Sequence, residues 1–123
     1  MKNLLIEKNI PIIDLGPFQD SSVDYPDYAK KVARRVKLKK SDVGILVCGS
    51  GTGMAISANK IKGIRAAVCY NSKSTQLCRQ HNNANIICIG SRLTKKKEIG
   101  KILKVFLETK FDGGRHLRRI KKI

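Results

Sequence analysis

A continuous apolar run, Val43 to Cys48, breaks off into Gly49-Ser50-Gly51-Thr52-Gly53 and then into a helix-forming stretch headed by Met54, Ala55, Ile56 and Ala58. A strand that is apolar at every position must be covered on both faces, which is the habit of parallel sheets clothed by helices. The same alternation runs through the chain. Ile10–Leu15, Ile64–Cys69 and Asn85–Ile89 read as further strands. Residues 1–8 read as the end of a helix, and Pro26–Lys37, Ser72–His81 and Thr94–Lys110 as whole ones. In the last of these Ile99, Ile102, Leu103 and Phe106 form an inner stripe. Asp24 is placed to cap the helix whose first turn contains Pro26. Strand and helix in alternation predict an α/β fold, with a parallel sheet and helices on both its faces.

The length of 123 residues suits one domain, 1–123, with residues 109–123 read as a basic C-terminal tail beyond Thr94–Lys110. The N-terminus is interrupted by Glu7, Lys8 and Asp14 and has no small-residue cleavage site, and no apolar run reaches membrane-spanning length. Cys48, Cys69, Cys78 and Cys88 lack paired spacing. The expectation is therefore a cytoplasmic chain with reduced thiols, three of them small core residues.

Lys and Arg outnumber Asp and Glu by 26 to 9, a net charge of +17. That excess raises nucleic acid as a partner. Much of it falls on helix faces: Lys30, Lys31, Arg34 and Arg35 lie opposite Ala29, Val32, Ala33 and Val36. Aromatics make up 5% of the chain, too few for a stacking platform, and no groove-reading motif is present. A basic nucleic-acid-binding module is thus the rival reading from another class.

In a parallel sheet ligands bind beyond the carboxyl ends of the strands. Cys48 lies at such an end, and the loop after it enters a helix N-terminus, where bare amides form an anion cradle. The loop is not a nucleotide P-loop, because no lysine follows until Lys60. It is not the dinucleotide fingerprint either, since the spacing is GxGxG and no acidic residue ends the next strand. What remains is a cradle beside a thiol, whose thiolate could act as nucleophile or base. His81, in RQHNNANI, is expected near the same edge, as a helix cap or a catalyst. Arg115 and Arg119, four apart, match a phosphate dianion on one helical face or form a basic tail.

These segments together are recognisable. GILVCGSGTGMAISANKIKGIRAAVC, CRQHNNANIICIGSRL and FDGGRHLRRIKKI, with VDYPDYA before the second helix, resemble the type B ribose-5-phosphate isomerase family across nearly the whole chain. Galactose- and allose-6-phosphate isomerases belong to the wider family. The resemblance implies a Rossmann-like three-layer αβα sandwich with a mainly parallel sheet, and a homodimer (or tetramer) with active sites shared between subunits. It implies Cys48 as the base moving a proton between C2 and C1 of an open-chain sugar phosphate. Gly49, Ser50, Gly51, Thr52 and Gly53 then hold the enediolate, and His81 assists ring opening. Tyr25 and Asn82 contact substrate, and Arg115 and Arg119 clamp the phosphate. The partner's Cys48 would receive His81, Asn82 and the arginines. Met54 stands where another branch of the family carries a glutamate base. No metal or cofactor is required. The resemblance also implies that the family's first central strand, with an Asp-His pair after it, is missing. Two buried strand edges would then lack partners, at about 1–3 kcal/mol for each unmade bond. A start about 18 residues upstream is the favoured explanation, with activity expected of that longer form and not of the short one. Ribose 5-phosphate and ribulose 5-phosphate in the pentose phosphate pathway are the expected substrates. A six-carbon sugar phosphate, or a non-catalytic subunit paired with a relative, are the alternatives.

Overall fold

A computed structural model describes residues 1–123. The elements run α1 (Lys2–Glu7), α2 (Tyr25–Lys37), β1 (Gly44–Cys48), α3 (Thr52–Asn59), β2 (Ala66–Val68), α4 (Ser72–Asn82), β3 (Ile86–Gly90), α5 (Lys96–Glu108) and α6 (Arg115–Ile120). The three strands form one parallel sheet in the order β1-β3-β2. Register is set by Gly44 opposite Ile86 and Cys48 opposite Gly90 on one side, and by Ala66 opposite Ile86 on the other.

Central β3 explains the layering. All five of its residues are buried, and strand side chains alternate between faces. Ile86 and Cys88 join Leu46 beneath Ala29, Ala33 and Val36 of α2 and Met54, Ala55 and Ala58 of α3. Ile87 and Ile89 turn the other way, onto Cys78 of α4, Ile102, Leu103 and Phe106 of α5, and Leu5 of α1. The result is the three-layer αβα arrangement expected. Cores this close-packed leave little room to relax.

Three expectations need correction. Ile10–Leu15 is not a strand: it is extended but joins no ladder, and only Ile10 and Ile12 lean on the α5-side core. Apolar spacing reports burial, whereas a strand also needs a neighbouring edge to bond to. The expected pair of unpartnered edges therefore reduces to one, the outer edge of β1. Secondly, β1 is not covered on both faces. Gly44 and Leu46 are buried, but Val47 is 38% exposed, because an edge strand lacks cover on one side. Thirdly, Asp24 is the N-cap residue of α2 but its side chain makes no capping bond; its carbonyl accepts from the Asp27 amide at 3.1 Å. A full capping box instead opens α4, where Asn71 Oδ1 accepts from Ser74 N at 2.9 Å and Ser74 Oγ from Asn71 N at 3.3 Å.

Phe106, 1% exposed, is among the largest fully buried side chains. Phe106→Ala should lower unfolding free energy by about 3–5 kcal/mol, read as a fall in the urea midpoint at unchanged slope. A loss under about 1 kcal/mol would mean that the α5 layer is not packed as described.

Candidate active site

Strand β1 delivers Cys48 to the carboxyl edge of the sheet, where the glycine loop begins. The Gly51 amide donates to Cys48 Sγ at 3.1 Å, so the sulfur is held by the loop and does not point wholly into hydrocarbon. Thr52 N donates to Ser50 Oγ at 3.3 Å. The amides of Gly49, Ser50 and Gly53 have no backbone partner within the chain. These donors, beside a half-buried thiol and at the N-terminus of α3, are the arrangement that can hold an oxyanion.

The glycines are dictated by crowding. A Cβ on Gly90 would lie 2.6 Å from the Ser50 carbonyl oxygen, and one on Gly53 would lie 2.6 Å from the Tyr25 ring. Gly51 has φ of +81°, a left-handed conformation that L side chains rarely adopt. Tyr25, at the start of α2, thus lies against the loop at Gly53. Met54 is buried in the α2–α3 core, so nothing there could take a proton in place of Cys48.

His81 is not where the sequence reading puts it. Helix α4 begins at the carboxyl edge, after β2, and runs back to the opposite edge before β3 starts. Ile86 pairs with Gly44 and Gly90 with Cys48, so the end of α4 lies roughly 13 Å of strand away from the thiol. Within one chain His81 and Asn82 therefore do not meet Cys48. His81 meets α6 instead: the His81 and His116 rings stack at 4.3 Å with 13° between planes. The Asp112 amide donates to the Gln80 carbonyl at 3.0 Å, returning the chain across α4. Arg115 and Arg119 are both exposed on α6, within a helix as their spacing predicts. The eleven predicted residues thus fall into two groups, Tyr25 with Cys48–Gly53 at one edge, and His81, Asn82, Arg115 and Arg119 at the other.

Three arginines escaped the sequence reading. Arg65 Nε donates to the carbonyls of Asn82 at 3.0 Å and Asn83 at 3.1 Å, satisfying the end of α4. Burial, then the nearby Arg79, lowers its pKa from the usual guanidinium range. Arg79 reaches Asn83 Oδ1 at 3.1 Å, the Ala84 carbonyl at 2.6 Å and the Thr109 carbonyl at 3.2 Å, locking α4 to the end of α5. Arg92 lies against Gly49, with Ser91 N donating to the Cys48 carbonyl at 2.8 Å and Arg92 N to the Gly49 carbonyl at 3.1 Å. Only Arg92 had a legible signal, a cation just past a strand's carboxyl end.

The remaining titratable groups separate the thiols. Burial pushes Cys88 up to about 12, and its hydrogen bond to Cys69 together with burial raises Cys78. Both are neutral packing residues, as expected, and all four cysteines are unbridged. Partial desolvation, with His81 and Arg115 nearby, holds His116 below the ordinary imidazole range.

Comparison with known proteins identifies the family. The ribose/galactose isomerase family matches residues 1–123. A Mycoplasma genitalium protein named probable ribose-5-phosphate isomerase B is 48% identical over 118 residues, 94% of this chain and 78% of that one. The structure of Clostridium thermocellum ribose-5-phosphate isomerase B superposes with a TM-score of 0.97 at 43% identity, covering 98% of this chain and 82% of that one. The Mycoplasma genitalium enzyme with bound ribulose-5-phosphate superposes with a TM-score of 0.92 at 47% identity, covering 98% and 80%. With its full length matched, its layers superposed and a cysteine-bearing glycine cradle at the sheet edge, the chain belongs to the ribose/galactose isomerase family.

Proposed function

We propose that the protein is an aldose–ketose isomerase interconverting ribose 5-phosphate and ribulose 5-phosphate, a step of the pentose phosphate pathway. The observation that carries the reading is the Gly51 amide on Cys48 Sγ at 3.1 Å, beside unspent amides of the same loop. The similar Mycoplasma genitalium structure, which holds ribulose-5-phosphate, supports the substrate class.

Cys48, as thiolate, takes the C2 proton of the open-chain aldose, leaving a cis-enediolate. The negative oxygen is met by the unspent amides of the Gly49–Gly53 loop, those of Gly49, Ser50 and Gly53, fixed donors that need no reorganisation as charge develops. Ser50 and Thr52 offer hydroxyls to the neighbouring sugar oxygens. The thiol returns the proton to C1 while a hydroxyl proton moves from O2 to O1, giving the ketose with atoms and charge balanced. Tyr25 covers the loop and orients the chain of the sugar.

Ring opening and phosphate binding fall to the second group. His81 accepts the anomeric hydroxyl proton as C1=O forms and the C1–O4 bond breaks, and returns that proton to the ring oxygen; Asn82 binds a sugar hydroxyl, and Arg115 and Arg119 bind the phosphate dianion. Since one chain holds the two groups at opposite sheet edges, the working unit is a homodimer with each site built from both subunits. No helix is long and apolar enough to cross a membrane. Four unbridged thiols fit a reducing compartment, and we place the enzyme in the cytoplasm.

Cys48→Ala should lower kcat by about 10²–10⁴-fold with little change in KM. Isomerase turnover within threefold of the parent would remove the base role. Arg119→Ala should raise KM for the sugar phosphate about tenfold or more, since one charge-assisted contact is lost; an unchanged KM would put the phosphate elsewhere. Shared sites have a sharper test. Cys48→Ala and His81→Ala chains, each inactive alone, should recover about one quarter of parent activity when refolded together, because half the dimers contain one intact site of two. No recovery from properly mixed dimers would mean that each chain builds its own site.

A further inference from the structure

Three potential metal ligands converge where α6 folds back over the end of α4. His81, Asp112 and His116 each offer one ligand atom, and the three atoms lie within 4.8 Å of one another. None of the three side chains forms an ion pair within the chain, so the imidazole nitrogens and carboxylate keep lone pairs to donate. The cluster is open to solvent, with Asp112 exposed and both imidazoles half-buried.

We propose that His81, Asp112 and His116 form a binding site for one borderline divalent cation of the zinc type. Two imidazoles and a carboxylate are the donor set that such ions take when no thiolate is present, with water filling the open fourth position. The geometry lies within reach. Ligand atoms at about 2.0–2.2 Å from a tetrahedral zinc stand roughly 3.3–3.5 Å apart, so the cluster need close by little more than 1 Å. The stacked rings face each other at 4.3 Å, and rotation of one imidazole about χ2, a broad torsion, turns a nitrogen to the common point. Asp112 needs no loop movement, since its amide is already tied to Gln80 at 3.0 Å. Gly113 and Gly114, with φ of +67° and +56°, make the turn that seats His116.

Arg115 and Arg119, on the same short helix, oppose a cation. That makes the site exchangeable and not a structural one, and it sets zinc in competition with a phosphate that neutralises them. If His81 opens the sugar ring, a claim that rests on the isomerase reading, bound zinc occupies its nitrogen and inhibits turnover. Hard ions such as Mg²⁺ prefer all-oxygen shells and should pass the site by.

Calorimetric titration of the intact chain with zinc chloride, in a non-coordinating buffer without phosphate, tests binding apart from catalysis. The expected result is one ion per chain, no Mg²⁺ heat, and an affinity lowered at least about tenfold by His116→Ala. Asp112→Asn, an exposed and nearly isosteric change, should weaken zinc by at least threefold and shift zinc inhibition equally, each read against that variant's own zinc-free turnover. Cys48→Ala should leave affinity unchanged. Cobalt(II) bound in place of zinc should show nitrogen–oxygen ligand-field bands without thiolate charge transfer. Unaltered affinity in both His116→Ala and Asp112→Asn, or a thiolate band lost with Cys48→Ala, would overturn the site. Zinc that binds as described without slowing turnover would overturn its inhibitory effect.

Discussion

At the carboxyl edge of the sheet two backbones come so close that neither can carry a side chain. The carbonyl of Ser50 stands 2.6 Å from where a Cβ of Gly90 would be, and Gly51 packs against the Gly90 amide in the left-handed region. This approach fixes everything functional above it. It lets Ser91 and Arg92 of the β3 exit bond back to the Cys48 and Gly49 carbonyls. With its carbonyls so engaged, the loop gives the Gly51 amide to the sulfur and the Thr52 amide to Ser50 Oγ, and leaves those of Gly49, Ser50 and Gly53 without a partner in the chain. A side chain on either glycine would lift the loop from β3, and the sulfur would lose its donor before any substrate contact changed.

The excess positive charge acts on the same region from a distance. With 26 basic and 9 acidic side chains, few cations can be paired. The ion pairs present are Lys2–Asp14 at 3.0 Å and Lys101–Glu98 at 3.6 Å. Both involve exposed lysines, and pairs of that kind contribute about 0–1 kcal/mol. Arg65 and Arg79 are exceptions of another sort, spent on backbone carbonyls at the end of α4. The remaining cations generate a positive field that draws small anions toward the surface and speeds their arrival. For a ligand carrying a phosphate dianion, charge that contributes little to the fold contributes to capture.

Much of this was legible from residue order. Largely apolar segments located all three strands within two residues at each end, and helical spacing placed Phe106, Ile102 and Leu103 inward. The glycine loop announced a cradle because bare amides before a helix have few other uses. The extended segment at Ile10–Leu15 misled, since an apolar stretch says that residues seek cover and nothing about a bonding partner. Arg65 and Arg79 were illegible for a different reason: their acceptors lie on chain segments that only tertiary folding brings back. The contact of Tyr25 with Gly53 was reached only through resemblance, as 28 positions of sequence separate them.

The misplacement of His81 is the most instructive error, because topology forbids it. In a strand–helix–strand unit of a parallel sheet the helix must carry the chain back to the edge where the next strand begins. Helix α4 has 11 residues, about 16 Å at 1.5 Å each, which matches the span of β3 that follows it. A residue at the strand end of such a unit and one at the helix end are therefore kept apart by the length of an element, whatever their chemistry. Cys48 and His81 can serve one substrate only if the opposite edges of two copies are laid together. The same rule leaves His81 free, within its own chain, to stack on His116 and to stand near Asp112. One histidine can thus face a partner's thiol and carry local ligands of its own.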